Sequence, residues 1–266
     1  MLLPVVASAS VVDAAFAGGS IFAEAGSGGA ATNSVENDFA DFDDLGDPVS
    51  VSGTVLDGAF DNDSDPAVGV NANSAANLNG ALSTGLVGSV FTSTFTGYTP
   101  GTPSPVASAS SDGLTAFQFT VNVDFDVSLT GDLVINSGAL SNFTPDESAE
   151  IWFGTGTLSF DPVNETITLN EDVAVATFSS DSSTVSSSVT PFSFIDTLPA
   201  GSYLLYASTE SSADAVNGGQ QVDQFAIEDA GDASVMFDLV VTPIPSPGVG
   251  LTGLVMIAFT ALRRRN

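Results

Sequence analysis

From Val49 onward the hydrophobic and polar positions of this chain alternate with a period of two, which predicts strands rather than helices. The clearest stretch runs from Phe117 to Thr130: Phe117, Phe119, Val121, Val123, Phe125, Val127 and Leu129 share one parity. Gln118, Thr120, Asn122, Asp124, Asp126, Ser128 and Thr130 share the other. This reads as one long strand with a packed face and a wet face, turning at Gly131-Asp132 into Leu133 to Ile135. Shorter strands are expected at Val49 to Leu56, Leu86 to Phe95, Ile151 to Phe160, Thr166 to Leu169, Val173 to Phe178, Phe192 to Ile195, Tyr203 to Ala207, Phe225 to Ile227 and Val235 to Val241. Asp161-Pro162-Val163-Asn164 and Leu198-Pro199-Ala200-Gly201 carry turn chemistry between them. Asn71 to Thr84 reads as loop, Gly97 to Pro105 as a surface turn, and the serine-rich Ser179 to Ser188 as a polar loop. No soluble amphipathic helix of useful length is present, so the expected class is all-β: an antiparallel two-sheet β-sandwich, jelly-roll-like. Nineteen phenylalanines supply its core without polar atoms that need partners.

The last two dozen residues break the pattern. Three prolines, Pro243, Pro245 and Pro247, precede an uncharged run from Gly248 to Leu262, which ends in Arg263, Arg264 and Arg265. Fifteen residues of helix span about 22 Å against a hydrocarbon core of about 30 Å, a short membrane segment helped by arginine snorkelling. A single C-terminal hydrophobic helix is therefore expected. Basic residues stay cytoplasmic, so the arginines place the carboxyl end inside and the body outside.

Proline motif, apolar run and arginine cluster in this order resemble the PEP-CTERM family of bacterial sorting signals. The resemblance covers Pro245-Ser246-Pro247, the run to Leu262, and Arg263 to Arg265; Ser246 stands where the family has glutamate. It implies export, then processing at the motif by an exosortase-like membrane enzyme, often in organisms that make exopolysaccharide. The stretch Thr197 to Tyr206 is also similar to the carboxyl half of many ectodomains in that family.

Charge sharpens this reading. The chain has 32 carboxylates against three basic residues, a formal net charge of −29, and those three are the tail arginines. Nucleic acid is excluded as a partner, because binding it requires cations that displace phosphate counterions. Anionic lipid surfaces are disfavoured for the same reason. No carboxylate of the body has a basic side chain within the body to pair with, so each must be solvated, bound to backbone donors, or matched by a cation from solution.

Domain boundaries follow. Residues 1–17 are apolar with two Ala-x-Ala sites, at Ala7 to Ala9 and Ala15 to Ala17, but lack a basic start, and Asp13 interrupts them; they read as a truncated secretory signal, the alternative being the mature amino end itself. Residues 18–48 read as a flexible acidic lead-in or at best an edge strand, 49–241 as the sandwich ectodomain, and 242–266 as the sorting and membrane segment.

Candidate chemistry is sparse. Without histidine, cysteine or a body lysine, the usual bases, Schiff-base chemistry and ordinary zinc sites are missing. No catalytic residue is assigned. Asp124 and Asp126 share a strand face in the one-strand reading, a spacing a glycosidase pair can in principle use; two solvated side chains on the wet face of a half-buried strand are the plainer reading. Asp61, Asp63 and Asp65 alternate in a turn and are candidate Ca²⁺ ligands, although Pro66 and the missing twelfth-position glutamate depart from the EF-hand loop. Asp41, Asp43, Asp44 and Asp47 form a looser acidic cluster. Trp152, the sole tryptophan, is either buried or a platform for a sugar ring. The expected function is that of a non-enzymatic exported protein of the cell surface or exopolysaccharide matrix. The alternatives are a carbohydrate-binding sandwich, with polysaccharide as partner, and a carboxylate-based glycosidase.

Overall fold

In the computed structural model the described residues are 10–27, 30–44, 48–61, 68–98, 106–137, 146–161, 163, 166–182, 187–214 and 227–244. They form twelve strands: β1 (Ser10–Ser27), β2 (Ala30–Asp44), β3 (Val49–Asp61), β4 (Val68–Ala81), β5 (Gly85–Tyr98), β6 (Val106–Val121), β7 (Phe125–Ser137), β8 (Asp146–Asp161), β9 (Thr166–Asp181), β10 (Ser187–Leu198), β11 (Gly201–Asp214) and β12 (Ile227–Pro243). One sheet has the order β2-β1-β6-β11-β8-β9, the other β10-β7-β12-β5-β4-β3. Every pairing is antiparallel. The sheets pack face to face, β11 over β5 and β12, and β1 over β3 and β4. The all-β, two-sheet expectation holds.

The Phe117 to Thr130 stretch keeps its parity but not its unity. It breaks at Asn122 to Asp124, and its halves, β6 and β7, lie in opposite sheets. Phe117, Phe119, Val121, Phe125, Val127 and Leu129 still all enter one core. Alternation reports which side faces the interior, and the interior lies between the sheets, so a chain crossing from one to the other keeps its inward parity.

Phe119 is the hub of that core. Its ring stacks on Phe117 at 5.6 Å, Tyr203 at 5.8 Å and Phe153 at 6.3 Å, and meets Phe125 edge-on at 6.3 Å. Tyr203 lies deep in this cluster, and its hydroxyl donates to the Pro199 carbonyl at 2.9 Å, which pins the β10–β11 turn. Burial, and then the charge of Asp124, push the Tyr203 phenol above its ordinary value.

Three sequence expectations are corrected here. Residues 18–48 are not a flexible lead-in but strand, the alternative reading: they make more than half of β1 and all of β2, which is an edge strand. Residues 10–17 begin β1, with Val12, Ala15 and Ala17 in the core, so the signal-like reading of 1–17 fails for that part; residues 1–9 lie outside the described residues. Alternation in β1 is carried by alanines, Ala15, Ala17, Ala23 and Ala25, whose weak hydrophobicity hides the pattern. Asn71 to Thr84 is not loop: it is β4 and the turn Leu82 to Thr84 into β5. Gly80 and Gly85 flank that turn at φ +123 and +120, which non-glycine side chains rarely adopt. The expected C-terminal helix falls on residues outside the described ones; among the described residues no helix is long and apolar enough to cross a membrane.

The stability prediction is direct. Phe119→Ala removes a fully buried ring and should cost about 3–5 kcal/mol in denaturant unfolding. Ile195→Ala, at a side chain 74% exposed, should change the midpoint by less than about 0.5 kcal/mol.

Candidate functional site

Strand β8 pairs with β11 only as far as Gly154, opposite Leu204, and from there to Asp161 its only partner is β9. Irregularities between Phe153 and Gly154 and between Thr155 and Gly156 mark the departure. A Cβ on Gly154 would meet the Val173 carbonyl and the Trp152 ring, and one on Gly156 the Asn170 carbonyl and Leu204, so glycine permits the bend. Beyond it, the Leu158 N–H donates to Gln118 Oε1 of β6 at 2.8 Å, and Phe160 stacks on Phe42 of β2 at 5.1 Å. In sheet order β2 lies three strands from β11, about 14 Å, within the roughly 20 Å reach of the residues from Gly154 to Phe160. The end of the β8–β9 hairpin therefore folds as a flap across the outer face of its own sheet.

Under the flap lies a second apolar cluster, facing away from the main core: Ala14, Phe16, Ala116, Trp152, Leu158, Leu204 and Tyr206. Trp152 is 5% exposed and stacks on Tyr206 at 5.7 Å. It is not an open platform for a sugar, which corrects that candidate role; the flap covers the face on which a ring would stack. The Tyr206 hydroxyl donates to Glu171 Oε1 of β9 at 2.9 Å. Burial, that hydrogen bond and the charges of Glu150 and Glu171 together drive the Tyr206 phenol up. Burial, and then Glu171, also raise the Glu150 carboxyl above its ordinary value of 4.5.

The flap edge opens a cleft of about 570 Å³ lined by Asp13, Ala14, Phe42, Gln118, Leu158, Ser159 and Phe160. Asp13 falls at an irregularity of the β1–β6 register between Val12 and Ala14, and its Oδ2 accepts from Thr120 Oγ1 at 2.7 Å. A bulge re-aims a side chain in this way. Two aromatic rings beside a carboxylate, an amide and a hydroxyl offer stacking surface and hydrogen-bonding groups together.

The other candidates are placed as follows. Asp124 lies in the β6–β7 connection, and its Oδ1 accepts from the Ala200 N–H at 3.3 Å. Asp126 is in β7, with Oδ1 accepting from Thr197 Oγ1 at 2.6 Å. They do not share a continuous strand, and each holds a neighbouring segment at the same sandwich end. Asp61 ends β3, whereas Asp63 and Asp65 lie outside the described residues. In the looser cluster, Asp41 of β2 accepts from the Ser52 N–H of β3 at 3.0 Å, and Asp47 lies outside the described residues. Among the described residues no three acidic side chains converge as a metal site. Pro245, Ser246, Pro247 and Arg263 to Arg265 also lie outside them.

No known family matches the chain, and no curated protein matches it in sequence. Among solved structures, the VP2 subviral particle of infectious bursal disease virus is 14% identical, with 97% of this chain and 75% of that one covered and a TM-score of 0.21. The Gx strain of infectious bursal disease virus is 15% identical, with 93% and 65% covered and a TM-score of 0.20. TM-scores this low carry nothing about the fold or function of this chain.

Two measurements test the flap. Gly154→Ala places a methyl against the Val173 carbonyl, so it should loosen the hairpin and shift Trp152 emission to the red; unchanged emission would contradict the packing. A raised carboxyl pKa means stability that is present below the ordinary value and lost as pH rises through the raised one. Glu150→Gln should therefore raise the unfolding midpoint at pH 7 and flatten its rise as pH falls towards 4.5.

Proposed function

We propose that this chain is an exported, non-enzymatic protein of the cell surface or exopolysaccharide matrix, with a sandwich as cargo and residues 242–266 as address. The observation that carries the reading is the confinement of all basic residues to Arg263, Arg264 and Arg265, behind the apolar run and Pro245-Ser246-Pro247. In this reading the tail enters the inner membrane with the arginines in the cytoplasm, and an exosortase-like enzyme cuts at the proline motif. Fold boundaries are compatible with such trimming. Strand β12 ends at Pro243, and the Ile244 N–H donates to the Asp124 carbonyl at 2.8 Å, so a cut at Pro245 to Pro247 leaves the sandwich whole. At the other end, a cut after Ala9 leaves β1 intact, whereas a cut after Ala17 removes part of its core. Strands β5 to β12, taken alone, run β5-β12-β7-β10 and β6-β11-β8-β9. That interleaved order supports a jelly roll, extended at one side by β1–β2 and β3–β4.

A second reading, carbohydrate binding, is favoured by the cleft of Phe42, Phe160, Asp13, Gln118 and Ser159. A net charge of −29 directs it to neutral rather than acidic polysaccharide.

Intact mass of the mature protein tests the first reading, with ends expected at Ser10 and near Pro247. Full-length chain ending at Asn266 in the envelope would contradict processing. For the second, affinity electrophoresis in neutral polysaccharide should show retardation that Phe42→Ala weakens about tenfold, the loss of one good stacking contact. Equal retardation of Phe42→Ala and the parent would remove this cleft from consideration.

A further inference from the structure

In a chain with 32 carboxylates, the outward positions of three neighbouring strands hold none. They are every second residue from Ser50 to Leu56 of β3, from Asn71 to Asn79 of β4, and from Val87 to Phe95 of β5. The register sets them in rows across the sheet: Ser52–Asn77–Ser89, then Thr54–Ala75–Phe91, then Leu56–Asn73–Ser93. The residues between them, such as Val51, Ala76 and Val90, point into the core. Hydroxyls and amides in such rows both donate and accept hydrogen bonds. Phe91 and Phe95 are half-buried here and add ring surface, while Leu56 and Val87 are 67% and 53% exposed. Asn73 Oδ1 is buried and has no hydrogen-bond partner among the described residues, so an acceptor on this face lacks a donor. An open trough of about 410 Å³ runs over the rows, with Ser52, Asn77, Asn79, Ser89 and Phe91 among its walls.

Carboxylates stand at the rims instead. At the β3 edge, Asp41 of β2 accepts from the Ser52 N–H at 3.0 Å, and on β12 Asp232 and Asp238 lie opposite Ser93 and Val87. Asp57 of β3 is turned to the other sheet, where Asn37 Nδ2 donates to it at 2.9 Å. A neutral floor between acidic rims admits a neutral hydroxylated chain and repels an anionic one. The floor is about 15 Å across three strands and about 20 Å long from Ser50 to Leu56. That is roughly 300 Å², well short of the 800 Å² or so per partner in a stable protein interface, and two copies meeting here would oppose rims of like charge. An extended glycan needs less area, because its hydroxyls pair with amides and its ring faces lie on apolar side chains. We propose that the outer face of β3, β4 and β5 is a binding site for a neutral polysaccharide, with Asn73, Asn77 and Asn79 hydrogen-bonding its hydroxyls and Phe91 as stacking surface. The site takes its ligand class from the carbohydrate-binding reading but not its place: the flap cleft lies on the outer face of the other sheet, so the two engage separate glycan chains.

The test is affinity electrophoresis of the full chain in native gels containing hydroxyethylcellulose or dextran, both neutral. A combined Asn77→Ala, Asn79→Ala variant, and separately Phe91→Ala, should each weaken retardation about tenfold, while Phe42→Ala in the flap cleft keeps the part due to this face. Both asparagines are exposed, so their variant provides the test should Phe91→Ala fail to fold. Carboxymethylcellulose, an anionic counterpart, should not retard the parent. Retardation that falls in the variants of this face and not in Phe42→Ala would support the site and remove the cleft. Retardation that falls in Phe42→Ala and is untouched in both variants of this face would overturn the site and leave the cleft. A parent that runs unretarded in both neutral gels, or equally retarded by carboxymethylcellulose, would overturn it. So would sedimentation of the parent as a dimer that Asn77→Ala, Asn79→Ala converts to monomer, since a second copy would then occupy the face.

Discussion

Apolar burial between the two sheets has to hold this fold against its own charge. Thirty-two carboxylates share a chain whose only basic residues are the three tail arginines, so electrostatics within the body are repulsive almost throughout. Ion pairs, the usual surface compensation, are closed to it. What opposes the repulsion is an interior of phenylalanine, leucine and valine centred on Phe119, together with ladders that satisfy the backbone along strands of 12–18 residues. Many surface carboxylates act as acceptors for neighbouring backbone and hydroxyl groups: Asp41 from Ser52, Asp124 from Ala200, and Asp126 from Thr197. Such contacts stabilise a charge without a counter-charge.

The alternation of apolar residues told which side of each strand faces inward, and much less about where strands end. Parity survives the crossing at Asn122 to Asp124 because both sheets share one interior, so a single periodic run disguised two elements. Residues 166–178 show the opposite error: two expected strands are one, β9, whose edge position leaves most of its side chains exposed and its pattern faint. In β1 the inward positions are filled largely by alanine, and in β4 Ala72, Ser74 and Ala76 sit between Val70 and Leu78, with threonine and serine supplying much of the interior beside them. Small side chains pack closely there, but they give little hydrophobic contrast from which to read a strand.

The candidate cleft was the least legible part. Phe42, Asp13, Gln118 and Phe160 come from four strands, and only the sheet order β2-β1-β6-β11 and the bend at Gly154 and Gly156 bring them together. One trace was visible: Asp13 interrupts an otherwise apolar run, as a bulged residue turned outward does. Trp152 drew attention for its chemistry, and its neighbours Ile151 and Phe153 suggested burial. The sequence held no sign that a flap of the same hairpin would do the burying.

The central claim is that the body holds together by apolar packing against its own net negative charge. Its most direct measurement is the unfolding midpoint of the metal-free protein at pH 7 as sodium chloride is raised from low ionic strength to about 1 M, where the Debye length falls to about 3 Å. The account predicts a steep rise over the whole range, as screening removes repulsion within a body that holds no basic side chain. A midpoint that stays flat or falls with salt would mean that attractive charge pairs stabilise the fold, and would contradict it.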